Sequence, residues 1–167
     1  EIRNEKKILL TSNENWKSGL LPILKSGIYY GEEYNANIIP KETDGVAVLD
    51  FDKSFLIEHE IDPVKELDPI NVQEELKDDE GFTIYDFGQN IAGYISLELS
   101  GNKDSKILIE HSEVLGLSNK NIQEKKCNHF ENANFRSAAA KIEYTLSGID
   151  IEKYKPHFTF MGFRYVR

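Results

Sequence analysis

An all-β fold, built as an antiparallel sandwich, is what this 167-residue sequence predicts. Three observations carry the prediction. Several stretches alternate apolar and polar residues with a period of two, the mark of a strand with one buried face. Proline and clusters of Gly, Asn, Asp and Ser separate these stretches at short intervals. No long stretch shows the periodicity of an amphipathic helix, and no segment repeats.

Composition sets the outer bounds. Hydrophobic residues make up 40% and aromatics 11%, which suits a packed core rather than a disordered chain. The length allows one domain with a real core, or one domain and a piece of another. The net charge of −9 argues against nucleic acid and anionic membranes as partners, since both select basic patches. No apolar run approaches the ~20 residues of a membrane span, and no secretory leader opens the chain. Cys127 is the single cysteine, so no intrachain disulfide forms, in keeping with a reducing compartment. The chain opens on Glu1 and stops at Arg167 within strand-like sequence, so it is expected to be a piece of a longer protein. The missing leader then says nothing about the parent.

Taken in order, residues 7–11 form a short apolar strand candidate, followed by a turn at 11–16 that carries the only tryptophan, Trp16. Residues 27–35 read as one strand with Tyr29 and Tyr30 on opposite faces. Residues 46–51 and 55–61 read as two strands of a hairpin around Asp52-Lys53-Ser54. Asp62-Pro63 and Asp68-Pro69 then punctuate the chain. A boundary near here divides the sequence into 1–65, the last strands of a preceding β domain, and 66–167, the sandwich proper. Residues 70–76 supply an opening strand and 77–81 a solvated acidic turn. Ile95, Leu97 and Leu99 alternate with polar neighbours, as do Ile107, Ile109 and His111, and then Ile142, Tyr144 and Leu146. Residues 116–135 read as a long polar loop with a helical turn at 122–126. Residues 154–166, with five aromatics, close the sheet.

The stretch that organises the rest is Tyr85-Asp86-Phe87-Gly88-Gln89-Asn90-Ile91-Ala92-Gly93. Strands at 82–87 and 93–100 flank it. Gly88 and Gly93 allow backbone angles that a Cβ resists, and Gln89 and Asn90 offer hydrogen bonds to a backbone that has left its ladder. Asp86-Phe87-Gly88 matches the metal-binding triplet of protein kinases, but the chain has neither a Gly-rich phosphate loop nor His-Arg-Asp.

This stretch resembles the signature of a concanavalin-like (jelly-roll) sandwich domain in bacterial α-L-rhamnosidases. The resemblance continues through Glu110-His111-Ser112-Glu113-Val114-Leu115, Asn134-Phe135-Arg136 with Ala138, Tyr144 with Leu146 and Gly148, and Gly162-Phe163-Arg164-Tyr165-Val166. Upstream, Gly31-Glu32-Glu33-Tyr34-Asn35-Ala36 is similar to the motif that ends the preceding domain of that family, with Asn35 and Asn37 in place of its Asp and Arg. The resemblance implies an accessory, non-catalytic domain. Its partner would be a helical α/α-barrel catalytic domain of the same parent chain, acting on rhamnose-containing glycans, and a bacterial cytoplasmic location is favoured. An autonomous carbohydrate-binding module is the alternative, for which Trp16 and Tyr34 are the binding candidates.

The residues themselves offer little catalysis. Glycoside hydrolysis needs two carboxylates ~5–9 Å apart, and Glu110 and Glu113 lie on opposite faces of a regular strand. No catalytic residue is expected. His111, Glu113 and His129 are of types that bind divalent metals, but His111 shares an apolar face with Ile107 and Ile109, so a core histidine is expected. The acidic run at 78–80 is expected to be solvated rather than a calcium site. Neither metal nor cofactor is anticipated. Asp86, Gly88, Gln89, Asn90, Gly93, Glu113, Arg136 and Arg164 are expected to be structural, with a buried Asp86 paired to Arg136 or Arg164. Asp86, Gln89 and Asn90 are not expected to touch sugar.

Overall fold

The computed structural model describes residues 2–3, 6–7, 10–116 and 129–167. The helical turn expected at 122–126 and Cys127 lie outside them. In chain order the strands are β1 (Ile2–Arg3), β2 (Lys6–Lys7), β3 (Lys17–Leu20), β4 (Ile23–Gly27), β5 (Gly31–Asn35), β6 (Lys41–Gly45), β7 (Glu74–Lys77) and β8 (Thr83–Gly93). They continue as β9 (Leu97–Leu99), β10 (Lys106–Ser112), β11 (Val114–Gly116), β12 (His129–Glu131), β13 (Lys141–Thr145), β14 (Glu152–Tyr154) and β15 (Met161–Val166). Among the described residues the only helical element is one 3₁₀ turn, Ala133–Phe135.

The chain divides into two compact units, Glu1–Leu21 with Pro40–Leu67 and Pro22–Ile39 with Asp68–Arg167. The first holds two small antiparallel ladders, β1 with β2 and β3 with β6. The strands expected at 46–51 and 55–61 do not form. Asp52 accepts from the Ser54 N–H at 2.9 Å and Phe51 meets Phe55 edge-on at 5.4 Å, so the turn exists. Its arms have no ladder, and Val48, Leu49, Ile57 and Ile61 stay exposed. Apolar residues alone do not make a two-stranded ribbon stable.

The second unit holds the main sheet, seven strands in the order β4-β5-β13-β10-β15-β8-β7. Every neighbouring pair is antiparallel except β5 and β13, which run parallel with Lys141 opposite Gly31 and Thr145 opposite Asn35. The strand expected over 27–35 is instead a hairpin. Residues 28–30 form its turn, and Tyr29 and Tyr30 are exposed there. Gly31, with φ of +85°, makes the entry into β5 possible: a Cβ there would stand 1.7 Å from the Lys141 carbonyl oxygen. This hairpin brings residues 22–39 into the unit that holds 68–167.

A second layer, the β9–β14 ladder, faces the sheet. Leu97, Leu99 and Tyr154 pack there with Ile142, Tyr144, Leu146 and Phe163, as a sandwich requires. The period-two pattern at 142–146 is realised in full: Ile142, Tyr144 and Leu146 are all buried, Glu143 is exposed and Thr145 half-buried. Each such side chain, fully buried, contributes roughly 1.5–3 kcal/mol. His111 lies in the core as expected, its Nδ1 2.8 Å from the Ala140 carbonyl oxygen and its ring edge-on to Phe163.

Candidate functional site

The signature stretch is one eleven-residue strand, β8, and not the two strands expected. Its pairing with β15 breaks in the middle. Asp86 lies opposite Tyr165 and Ile91 opposite Phe163, so residues 87–90 stand against Arg164 alone. This is a β-bulge, which bends a strand and re-aims its side chains. Gly88 sits in it at φ +78°, where side chains are strained, and a Cβ would come within 3.0 Å of Gln73 Cγ. Gly93, by contrast, keeps its place in the ladder opposite Met161 and has no positive φ.

Asp86 anchors the bulge from below. Its buried carboxylate accepts from Arg164 Nε and Nη2, both at 2.8 Å, and from the Gly88 N–H at 2.6 Å. The fork-to-fork geometry is the strong form of such a pair. The Arg164 guanidinium, helped by the Gly88 N–H and opposed by burial, holds the Asp86 carboxyl below the usual carboxylate range. Asp86 in turn raises the Arg164 pKa. The freed backbone amide is therefore met by Asp86 itself. The Gln89 and Asn90 side chains are exposed and hydrogen-bond no described residue. Arg136 is exposed in a turn at φ 56° and does not pair with Asp86.

The outer side of the bulge opens into a cleft of about 440 Å³ lined by Asn90, Glu113, Val114, Leu115, Arg164 and Tyr165. Three strands build it: β8 supplies Asn90, β15 supplies Arg164 and Tyr165, and β11 supplies Val114 and Leu115, with Glu113 just before it. Among the described residues Glu113 is the one carboxylate in the lining, so no pair of described acids faces a common space there. Among the described residues no three His, Cys, Asp or Glu side chains are placed to hold a metal ion.

Sequence reasoning did not single out two further polar centres. Glu32, buried in β5, accepts from Tyr154 OH (2.8 Å), the His157 N–H (2.9 Å) and Ser26 Oγ (3.2 Å), and pairs with His157 Nδ1 at 2.9 Å. Burial pushes its carboxyl up, but the bonds from His157 and Tyr154 outweigh that and hold it low. Glu152 is buried likewise and accepts from Tyr144 OH at 2.8 Å and from the N–H groups of Ser147 and Gly148. Tyr34, a binding candidate, lies between these centres, its ring parallel to those of Tyr144 and His157. In the other unit Trp16 is 45% exposed, and its Nε1–H donates to the Thr11 carbonyl at 3.2 Å.

The acidic turn at 78–80 is not simply solvated. Asp78 is buried and accepts from the N–H groups of Glu80 and Phe82 and from Arg167 Nη1 at 2.8 Å. Arg167 also binds Glu110 at 2.6 Å, with its guanidinium over the rings of Phe82 and Phe130. The signal for this lay in Arg167, just past the closing strand and 89 positions from Asp78.

The fold has known relatives. Residues 76–167, which contain the bulge and the cleft, match the family described as bacterial alpha-L-rhamnosidase concanavalin-like domain. An alpha-L-rhamnosidase of Streptomyces avermitilis is 33% identical over 94% of this chain and 15% of its own length. One of Formosa agariphila is 28% identical over 93% of this chain and 17% of its own. Among solved structures, the native rhamnosidase of Aspergillus terreus superposes with a TM-score of 0.81 at 29% identity, covering 98% of this chain and 19% of that one. The Streptomyces avermitilis enzyme complexed with L-rhamnose gives 0.78 at 32% identity, covering 94% and 16%. The chain thus spans less than a fifth of each of these relatives and corresponds to a small accessory portion of them. With its all-β sandwich and a match over residues 76–167, the chain belongs to the concanavalin-like domain family of bacterial α-L-rhamnosidases.

Proposed function

We propose that this chain serves as a non-catalytic accessory domain of a larger α-L-rhamnosidase, supporting a helical α/α-barrel domain of the same parent that acts on rhamnose-containing glycans. The observation that carries the reading is the extent of the match: residues 76–167 match a concanavalin-like domain, and the chain spans less than a fifth of each rhamnosidase it resembles. In the cleft at the bulge Glu113 is the one carboxylate among the described lining residues, where glycoside hydrolysis calls for two. Asp86, Gly88 and Arg164 act here as structural residues of the bulge. Residues 1–65 represent the last strands of a preceding β domain, although the hairpin at 22–39 now belongs to the sandwich.

The test is turnover of an aryl α-L-rhamnoside by this chain and by its complete parent. The parent is expected to cleave it and the chain alone to be inert. Turnover by the chain, abolished by replacing one of its own carboxylates, would overturn the reading. The half-exposed Trp16 ring supports a second reading, an autonomous carbohydrate-binding module. Retention of this chain on a glycan matrix, lost in Trp16→Ala, would favour it.

A further inference from the structure

The bulge separates its motif into an inner half and an outer half. Asp86 is consumed inside. Three polar side chains of the outer half converge on the cleft without a hydrogen bond to any described residue: Asn90, the Glu113 carboxylate and Arg164 Nη1. Arg164, which lines the cleft, spends Nε and Nη2 on Asp86; that fixes its guanidinium plane, over the Tyr165 ring at 4.9 Å, and leaves Nη1 without a hydrogen bond to a described residue. Val114, Leu115 and the Tyr165 ring give the same space apolar walls.

From this we infer that the cleft is a binding subsite for a single ring of a neutral, polyhydroxylated ligand. Its volume falls within the range of small-molecule sites, ~300–1,000 Å³. A hydroxyl both donates and accepts, and the lining offers both in neighbouring positions: acceptors from Glu113 and the Asn90 carbonyl, donors from the Asn90 amide and Arg164. An anion does not suit the cleft, because Asp86 already balances the Arg164 charge and Glu113 adds a negative one. A metal ion does not suit it either, because a guanidinium stands in the wall. C–H faces of a ring suit the apolar walls, as in mixed polar and apolar sites generally. Only the naming of the polyol as a sugar rests on the accessory-domain reading above. The domain would then lend a sugar contact to its parent rather than support alone.

The experiment is an NMR titration of this 167-residue chain with L-rhamnose, with myo-inositol as a second neutral polyol and inorganic phosphate as the anion. The expected result is saturable shifts centred on Asn90, residues 114–116, Arg164 and Tyr165 with rhamnose, and none there with phosphate. Asn90→Ala and Glu113→Gln should each weaken binding roughly threefold or more, with the melting temperature unchanged. Shifts at the same residues with both rhamnose and inositol support the cleft as a polyol site. No saturable shift with either polyol, shifts centred on Trp16, or a response to phosphate alone would overturn the inference. The two readings fail separately. A parent that cleaves rhamnosides around a silent cleft overturns this inference only. A cleft that responds in a parent that cleaves nothing overturns the accessory reading only.

Discussion

Asp86 and Glu32 are both buried carboxylates in the same sandwich, and they are stabilised by different means. Asp86 faces a fixed cation, Arg164, in a two-pronged pair. Glu32 sits among hydroxyl, backbone and imidazole donors delivered by β4, β14 and the segment before β15. Charge meets charge in one centre, and several dipoles share one charge in the other. A charge pair tolerates no loss of either partner, because the survivor is stranded. A ring of adaptable donors can rearrange around a neutral group, since hydroxyls and imidazoles turn from donor to acceptor. Asp86 also ties down a backbone irregularity, accepting from the Gly88 N–H of the bulge; Glu32 follows another, the tight entry at Gly31.

The largest expected effect lies at that entry. Gly31→Ala would set a Cβ 1.7 Å from the Lys141 carbonyl oxygen at a positive φ, so backbone must move on both sides of the parallel pair. Loss of cooperative folding is expected by circular dichroism, and a variant that melts like the parent would contradict the close approach.

Next come the two carboxylates. Asp86→Ala should lower the melting temperature by several degrees whatever sugar is present, because it strands Arg164 and removes the acceptor of the Gly88 N–H. Glu32→Gln should cost clearly less, since Tyr154 and His157 can turn to accept from the new amide. Calorimetry of the two variants side by side decides it, and equal losses would erase the distinction between the centres.

A smaller effect is read against pH. Burial pushes the His111 pKa from 6.5 to about 4, despite the bond to the Ala140 carbonyl. The unfolded chain takes up a proton there below pH 6.5 that the fold refuses until about pH 4. Its contribution is therefore complete above 6.5 and falls away as pH drops through that window, by at most about 3 kcal/mol. Asp86 and Glu32, held low in the fold, add their losses only as pH falls below their ordinary values of 3.8 and 4.5. Urea unfolding across pH should show both limbs, and His111→Leu should flatten the upper one alone.

The smallest effect belongs to the cleft. Asn90→Ala should leave the melting temperature unchanged, since the side chain is exposed and bonds no described residue. A drop like that of Asp86→Ala would return Asn90 to the structural half of the motif.

What could be read beforehand follows from the range of each signal. The alternation of Ile142, Tyr144 and Leu146 is local and survives intact, as does the placing of His111 in the core. The need of Asp86 for a cation follows from burial cost, but the choice of Arg164 over Arg136 depends on which strand lies opposite. The turn at 28–30 was hidden because Ile28, Tyr29 and Tyr30 are all strand formers. Glu32 went unremarked because its donors come mostly from elsewhere, His157 being 125 residues away; the donors of Glu152 are near in sequence, but only the folded turn aims them at it. Polarity marks a residue as needing partners, and only the topology says where they are.

The position of β15 in the sheet bears on how the chain comes to be folded. It is the last strand in sequence, yet it lies between β10 and β8, near the middle of the seven. As a nascent chain emerges, β10 and β8 must wait with open edges until residues 161–166 arrive to join them. The parallel pair of β5 and β13 adds a second closure across more than a hundred residues. Such non-local order makes assembly slow, and an interrupted chain exposes strand edges that invite aggregation. β10 can meet β13, and β7 can meet β8, earlier, but the two halves of the sheet join only once residues 161–166 have been made.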